Sequence, residues 1–77
     1  MEIKILGTGC PNCKSLEKLT REIVAKHNID AVVTKEEDIV KIMRYGVMKT
    51  PAIVIDGKLI VQGRIPSESE ILNLITL

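Results

Sequence analysis

Aromatic side chains are almost absent from this sequence, which contains no phenylalanine or tryptophan and a single tyrosine, Tyr45. Proteins that bind single-stranded nucleic acid stack bases on several aromatic rings, so this chain is poorly equipped for that role. An excess of positive charge is also missing, because the net charge is +1 and acidic and basic residues are interspersed. No basic surface for a phosphate backbone is expected, and we predict that nucleic acids are not partners.

Long apolar runs are missing as well, although 45% of the residues are hydrophobic. No run approaches the roughly 20 residues that cross a bilayer as a helix, so we predict no membrane association. The charged residues Glu2 and Lys4 follow Met1 closely, a start that is unlike a secretory signal peptide. We therefore expect a cytoplasmic protein.

The length limits the architecture. A chain of 77 residues has room for one small domain, which we expect to span residues 1–77 and to be a monomer. A domain of this size buries only about 60% of the surface that its unfolded chain exposes. Cysteine is scarce too, with two in the chain. In a reducing compartment, a close cysteine pair is more often catalytic or metal-binding than part of a disulfide framework.

The two cysteines lie between an apolar run and a segment with helical periodicity. The run Ile3–Leu6 predicts a first strand, and Gly7–Gly9 predicts a flexible loop that leads to the pair. Leucine, isoleucine and valine then recur with helical spacing as far as Val24, and Asn28 favours termination of the helix. The pair itself reads Cys10-Pro11-Asn12-Cys13. The cysteines are therefore predicted to occupy the start of a long helix.

A thiol at a helix start has properties that a thiol elsewhere lacks. The unpaired N–H groups of the first turn stabilise a thiolate placed there, so Cys10 is the predicted nucleophile. Pro11 suits the first helical position, and Lys14 and Asn12 are the other residues expected to tune the pKa of the thiol. Cys13 lies one turn further along and is expected to be less exposed, so it can attack a mixed disulfide formed by Cys10. The pattern predicts dithiol–disulfide exchange.

A second strand and a second helix are predicted from the next segment. Ala31–Val33 predicts the short second strand. Thr34–Glu37 has the spacing of a capping box and predicts a helix that ends at Gly46. We expect this helix to bury Ile39, Ile42 and Met43. Met43 and Met48 should fill the core or the rim around Pro51. Tyr45 should pack at the end of the helix.

The last third of the chain predicts a hairpin and a final helix. Ala52–Ile55 and Lys58–Val61 are joined by Asp56-Gly57, the strongest short signal for a hairpin. Ser67–Glu70 forms a second capping box, followed by apolar positions as far as Ile75. The predicted order is β-α-β-α-β-β-α. The first two strands should be parallel and the last two antiparallel, which gives an α/β fold with a mixed four-stranded sheet flanked by three helices.

This order, with Cys-x-x-Cys after the first strand and Thr50-Pro51 before the third, resembles the minimal, glutaredoxin-like form of the thioredoxin fold. The chain is similar to small thioredoxin-like redox-active disulfide proteins of archaea and bacteria. In them a Gly-x-Gly-Cys-x-x-Cys loop is combined with a later Pro-Ala-x-x-x-Asp-Gly segment. Here these motifs are Gly7–Cys13 and Pro51–Gly57. The resemblance covers essentially the whole chain and implies a minimal thioredoxin fold.

Some positions depart from the better-known relatives. Thioredoxins proper carry Trp-Cys-Gly-Pro-Cys and a buried Asp beneath the active site, whereas this chain has Gly9 before the first cysteine and Lys4 at the position of that Asp. Glutaredoxins hold glutathione with a Gly-Gly pair and a following acidic residue. Here Gly63 is followed by Arg64, so both the second glycine and the acid are missing. We therefore expect glutathione to be a poor reductant.

The resemblance also implies substrate-binding roles. It implies a cis peptide bond between Thr50 and Pro51, facing the cysteines. In thioredoxin-like proteins the residue before this proline offers its backbone to an extended substrate segment. Gly63 would let a partner backbone approach the same edge, although a strand-ending turn explains this glycine equally well.

The resemblance implies an oxidoreductase of the protein-disulfide reductase type. Its partners would be disulfide-containing proteins and a flavin-dependent electron donor similar to thioredoxin reductase. No bound cofactor is expected, because the redox-active disulfide Cys10–Cys13 carries the electrons in its two sulfurs.

Two other functions remain open at this point. Copper chaperones of similar length also place Cys-x-x-Cys between a strand and a helix, and two thiolates suit Cu(I). Those proteins usually have Met where Thr8 stands, and they end in a strand. A structural zinc site is not expected, because His27 is the only histidine and lies far from the cysteines; a charge at the helix end is its simpler role. The second of these functions is that of a redox-fold adaptor, which binds a partner or reports the oxidation state of its thiols without turnover.

Overall fold

The computed structural model describes residues 1–76; Leu77, the last residue of the expected domain, lies outside the described residues. The predicted order of elements is confirmed. The elements are β1 (Glu2–Leu6), α1 (Pro11–Lys26), β2 (Val32–Glu36), α2 (Ile39–Arg44), β3 (Ala52–Ile55), β4 (Lys58–Gln62) and α3 (Glu68–Ile75).

One four-stranded sheet has the order β2-β1-β3-β4. As predicted, β1 and β2 are parallel and β3 and β4 are antiparallel, while β1 also pairs antiparallel with β3. The hairpin turns at Asp56-Gly57, whose φ angles of 49° and 85° are both positive. A two-residue turn of this kind matches the twist of the strands that it joins, which explains the strength of the signal.

The helices cover the two faces of the sheet unequally. Helices α1 and α3 share the larger cluster of buried residues: Ile3, Ile5, Leu16, Ile23, Ile53, Ile71 and Ile75. Helix α2 covers a smaller cluster of Leu6, Ile42, Ala52 and Val54. Successive strand residues point to opposite faces, so β1 and β3 contribute to both clusters. The helix that carries the cysteines therefore packs on the thicker part of the core.

The predicted capping box at Thr34 was wrong. Thr34 lies inside β2, which continues to Glu36 because Leu6 and Glu36 still pair in the parallel ladder. The Asp38 side chain caps α2 instead, since its Oδ1 accepts from the Val40 N–H at 2.9 Å. Strand pairing with β1 outweighed the local preference of Thr34 for a helix cap. Sequence propensity describes only the local preference, so it could not predict the effect of this tertiary contact.

The burial predicted for α2 was also wrong in part. Ile42 is buried, but Ile39 is 52% and Met43 is 65% exposed. A helix of only six residues presents a narrow inner face, and Ile42 fills it. Met48 is 86% exposed and does not fill the core. Tyr45, as expected, packs against the smaller cluster at the end of α2.

Candidate functional site

Four strands end or begin at the same end of the sheet. Ala52, at the start of β3, pairs with Leu6 at the end of β1 and with Gln62 at the end of β4. Glu36, at the end of β2, also pairs with Leu6. The cysteine loop, the Thr50-Pro51 loop and the Gly63 loop therefore leave the sheet side by side, although they lie far apart in the sequence.

Cys10 caps the helix that it precedes. It is the N-cap of α1, with extended backbone angles, and its Sγ accepts a hydrogen bond from the Cys13 N–H at 3.2 Å. Pro11 occupies the first turn of the helix as predicted, and Asn12 is exposed. Because Sγ occupies the position of a capping oxygen, a thiolate at Cys10 would face the positive end of the helix dipole.

Cys13 is buried and joined to Cys10. The two residues form a disulfide with their Cα atoms 5.1 Å apart. Cys13 is 5% exposed, whereas Cys10 is partly exposed. Gly7 provides the space for the Cys13 side chain, because a Cβ at position 7 would overlap Cys13 Sγ and lie 2.7 Å from its Cβ. Sequence reasoning missed this requirement, which no local signal reveals.

A small cleft opens beside Cys13. It is lined by Ile5, Gly7, Gly9, Cys13, Lys14, Glu17, Lys35 and Glu37. Its volume of about 40 Å³ has room for a few waters only. Lys14, predicted to act on Cys10, lines the cleft together with Cys13. The acids Glu17 and Glu37 were also missed, although the four-residue spacing between Cys13 and Glu17 could have indicated a shared helix face.

Lys4 belongs to the opposite side of the sheet. Its Nζ donates to Tyr45 Oη at 3.1 Å and lies 5.7 Å from the centre of the Tyr45 ring. This hydrogen bond raises the pKa of Lys4. Ile5, the next residue, faces the cleft. The residue at the position of the buried Asp of thioredoxins proper is therefore directed at α2 and not at Cys13.

The Thr50-Pro51 loop lies next to the start of β3. The peptide bond is cis, as the resemblance implied. The Pro51 carbonyl accepts from the Gly63 N–H at 2.9 Å, which ties this loop to the end of β4. Gly63 has a φ of 78°, and a Cβ there would lie 3.2 Å from Lys49 Cβ. Within residues 1–76, neither the N–H nor the C=O of Thr50 forms a hydrogen bond.

The segment after Gly63 is fixed by an ion pair. Arg64 Nη1 donates to Glu70 Oε1 at 2.9 Å, and Nη2 donates to the second carboxylate oxygen. This pairing lowers the pKa of Glu70. Ser67 caps α3 as predicted, accepting from the Glu70 N–H at 3.2 Å. The Glu70 side chain serves Arg64 and does not complete the expected capping box.

The only histidine of the chain lies at the opposite end of α1 from the cysteines. His27 follows α1, with Nε2 3.8 Å from Glu68 Oε1.

Among residues 1–76, no group of three or more His, Cys, Asp or Glu side chains is arranged to hold a metal ion. Over the same residues, no helix is both long and apolar enough to span a membrane.

Comparison with known proteins gives consistent results. A family model described as a thioredoxin domain matches residues 1–76. A thioredoxin of Methanothermobacter thermautotrophicus is 40% identical over 76 residues, which cover 99% of each chain. A thioredoxin of Methanocaldococcus jannaschii is 36% identical over 69 residues, which cover 90% of this chain and 79% of the relative. Together with the Cys10–Cys13 disulfide at the helix start, these matches confirm the predicted resemblance. The chain belongs to the thioredoxin family, has a minimal thioredoxin fold and is a thiol–disulfide oxidoreductase.

Proposed function

We propose that this protein reduces disulfides of other proteins, with Cys10 as the attacking thiolate and Cys13 as the resolving thiol. The observation that carries the proposal is the unequal placement of the two sulfurs. Cys10 is partly exposed and receives a backbone N–H bond, while Cys13 is buried behind it. A partner disulfide can therefore reach Cys10 first, and only the intramolecular attack of Cys13 then releases the partner.

The substrate in this proposal docks on Thr50. The unpaired N–H and C=O of Thr50 lie at the sheet end from which the cysteine loop departs. An extended substrate segment can pair with these two groups and place its disulfide against Cys10, as in other cases of β-strand addition. Gly63 supports this loop through its bond to Pro51 and leaves the Thr50 groups available.

The electron donor in the proposal is a separate flavin-dependent reductase, and the electrons are carried by the Cys10–Cys13 pair without a bound cofactor. Glutathione is disfavoured by the chemistry of the Gly63 loop. Arg64 stands where glutaredoxins carry the second glycine, and its guanidinium is occupied by Glu70. We assign this exchange to the reducing cytoplasm, where such a pair can cycle.

The test of the proposal is a coupled assay with a disulfide-containing protein substrate. The wild-type protein should turn over with NADPH and a flavoprotein disulfide reductase, and it should turn over poorly with glutathione at the same reducing potential. Cys10→Ser should reduce the rate to the uncatalysed level. Equal rates with both electron donors would refute the donor assignment. A wild-type protein inactive with every protein disulfide tried would favour a binding role for the thiols.

Docking on Thr50 has its own measurement. In a Cys13→Ser variant joined to a substrate by a mixed disulfide, hydrogen exchange at the Thr50 amide should become slower than in the free variant. The amide of Lys58, at the far end of β4, provides the control and should not change. Unaltered exchange at Thr50 would place the substrate elsewhere and leave the cysteine chemistry intact.

A further inference from the structure

The cleft beside Cys13 points to a proton acceptor for the resolving step, an inference that rests on the function proposed above. We infer that the Glu17 carboxylate accepts the proton that Cys13 loses when it attacks a mixed disulfide. Cys13 and Glu17 line the same small cleft and lie one turn apart on α1. Neither the family match nor the names of the relatives assigns a role to Glu17.

The burial of Cys13 creates the need for such a group. Its side chain is 5% exposed and is held against Gly7. A buried thiol keeps its proton more firmly, because the charged thiolate would lose its hydration, whereas the thiolate is the nucleophile. The cleft is an opening from Cys13 to solvent, and its volume of about 40 Å³ accommodates the few waters that a short proton relay requires.

Glu17 is placed to receive that proton. Helical side chains tilt towards the N-terminus, which for Glu17 is the direction of the turn that contains Cys13, and both side chains line the same cleft. Arg21 Nε donates to Glu17 Oε2 at 3.0 Å, which fixes the carboxylate and leaves Oε1 without that partner. The Glu17 side chain is only 24% exposed, so it belongs to the inner part of the cleft.

Three other charged residues line the cleft and are less suited to the role. Lys14 and Lys35 are cations, which favour the thiolate but do not accept its proton. Glu37 is 53% exposed and is paired with Lys35 at 3.4 Å. Its Oε2 lies towards the loop, 3.3 Å from where a Cβ at Gly9 would be. Lys4, which occupies the position of the buried acid of thioredoxins proper, is bonded to Tyr45 on the other face of the sheet.

The resolving step transfers one proton and exchanges one disulfide bond for another. In the mixed disulfide, Cys10 Sγ is bonded to a substrate sulfur. The Cys13 thiol gives its proton to Glu17, directly or through a water, and its sulfur forms a bond to Cys10 Sγ. The bond between Cys10 and the substrate breaks, and its electron pair leaves with the substrate thiolate. The substrate is thereby reduced, the Cys10–Cys13 disulfide is formed, and Glu17 later releases the proton to solvent.

A two-phase thiol assay tests this role. The reduced protein is mixed with dithiobis(nitrobenzoate), an aromatic disulfide. Attack by Cys10 releases a first coloured thiolate, and resolution by Cys13 releases the second. We expect Glu17→Gln to slow the second phase about 100-fold, the lower end of the usual contribution of a general base, and to leave the first phase unchanged. In this variant the second phase should also rise more steeply with pH than in the wild type, because hydroxide takes the proton.

Matched variants separate this role from a structural one. Arg21→Gln removes the same ion pair but keeps the carboxylate, so its second phase should slow less than about threefold. Glu22→Gln, an exposed change on the same helix, and Glu37→Gln should stay within about twofold of the wild type. Equal slowing in Glu17→Gln and Arg21→Gln, slowing of both phases, or a larger effect of Glu37→Gln would overturn the inference. Absence of a second phase in the wild type would overturn the proposed function itself.

Discussion

Cys10 and Cys13 are one helical turn apart, yet the regions around them are built differently. Cys10 stands at the start of α1, at the end of the sheet where the Thr50-Pro51 loop with its unpaired Thr50 backbone also lies. Cys13 is enclosed by β1, the Gly7 backbone and the charged cleft on the thicker side of the core. The first region leaves the Thr50 backbone groups unpaired, whereas the second surrounds the sulfur with the protein's own side chains and a small cleft.

The difference teaches how one short motif places two sulfurs in different surroundings. Local helix geometry supplies the N–H bond to Cys10, and only packing makes Cys13 buried and leaves Cys10 partly exposed. Changes at either sulfur should therefore have different consequences.

Replacing each cysteine in turn should produce opposite results. Cys13→Ser should accumulate mixed disulfides with protein substrates, because the resolving thiol is missing. Cys10→Ser should accumulate few, because the buried Cys13 cannot reach an external disulfide. Electrophoresis without reductant, after incubation with a disulfide-containing protein, measures the difference. Equal trapping by the two variants would mean that the sulfurs are equivalent, as in a metal clasp.

Enlarging Gly7 should damage only the inner region. Gly7→Ala places a methyl group against Cys13, and overpacking of this kind costs about 1–3 kcal/mol in the free energy of unfolding. Denaturant unfolding measures it. Gly46→Ala is the matched control, since a Cβ there meets nothing within 4 Å and the cost comes from its φ of 79° alone, about 1–2 kcal/mol.

The same pair of variants distinguishes packing from general destabilisation. Gly7→Ala should slow the release of mixed disulfides as well as lower stability, while Gly46→Ala should affect stability alone. Normal resolution in Gly7→Ala would show that Cys13 does not need its present position.

The two reduced thiols should titrate separately. The bond from the Cys13 N–H and the helix dipole stabilise the Cys10 thiolate, so the pKa of Cys10 should lie below the free value of about 8.5. The pKa of Cys13 should not be lowered. Alkylation rates of the single-serine variants as a function of pH give both values, and faster labelling of Cys13 at neutral pH would reverse the assignment.

The smallest effect is expected at the Arg64–Glu70 pair, which follows the Gly63 loop. Arg64 lowers the pKa of Glu70, so the pair stabilises the fold above the ordinary pKa of a glutamate, and this contribution is lost as the pH falls through the lowered value. Glu70→Gln should therefore lower the thermal midpoint slightly at neutral pH and not in acid. An equal shift at both pH values would show that the pair is not the cause.

Much of the fold could be predicted because its signals are local. Asp56-Gly57 specifies a tight turn, Ser67 a helix start and Asn28 a helix end, and each was found where the sequence placed it. The prediction for α2 failed because its start depends on how far β2 remains paired with β1, a contact between distant segments. The candidate site shows the same division, since the cysteine pair was visible in the sequence and Gly7 was not.

The sequence by itself determined the order of elements, the placement of the cysteine pair at a helix start and the family. These depend on residues within a few positions of one another, whose preferences act before the chain is folded. Only the tertiary structure decided which sulfur is buried, that Lys4 faces Tyr45, and that Glu17 and Glu37 meet beside Cys13. Those arrangements depend on how helices close over a sheet, and that closure brings together side chains from segments that no local pattern connects.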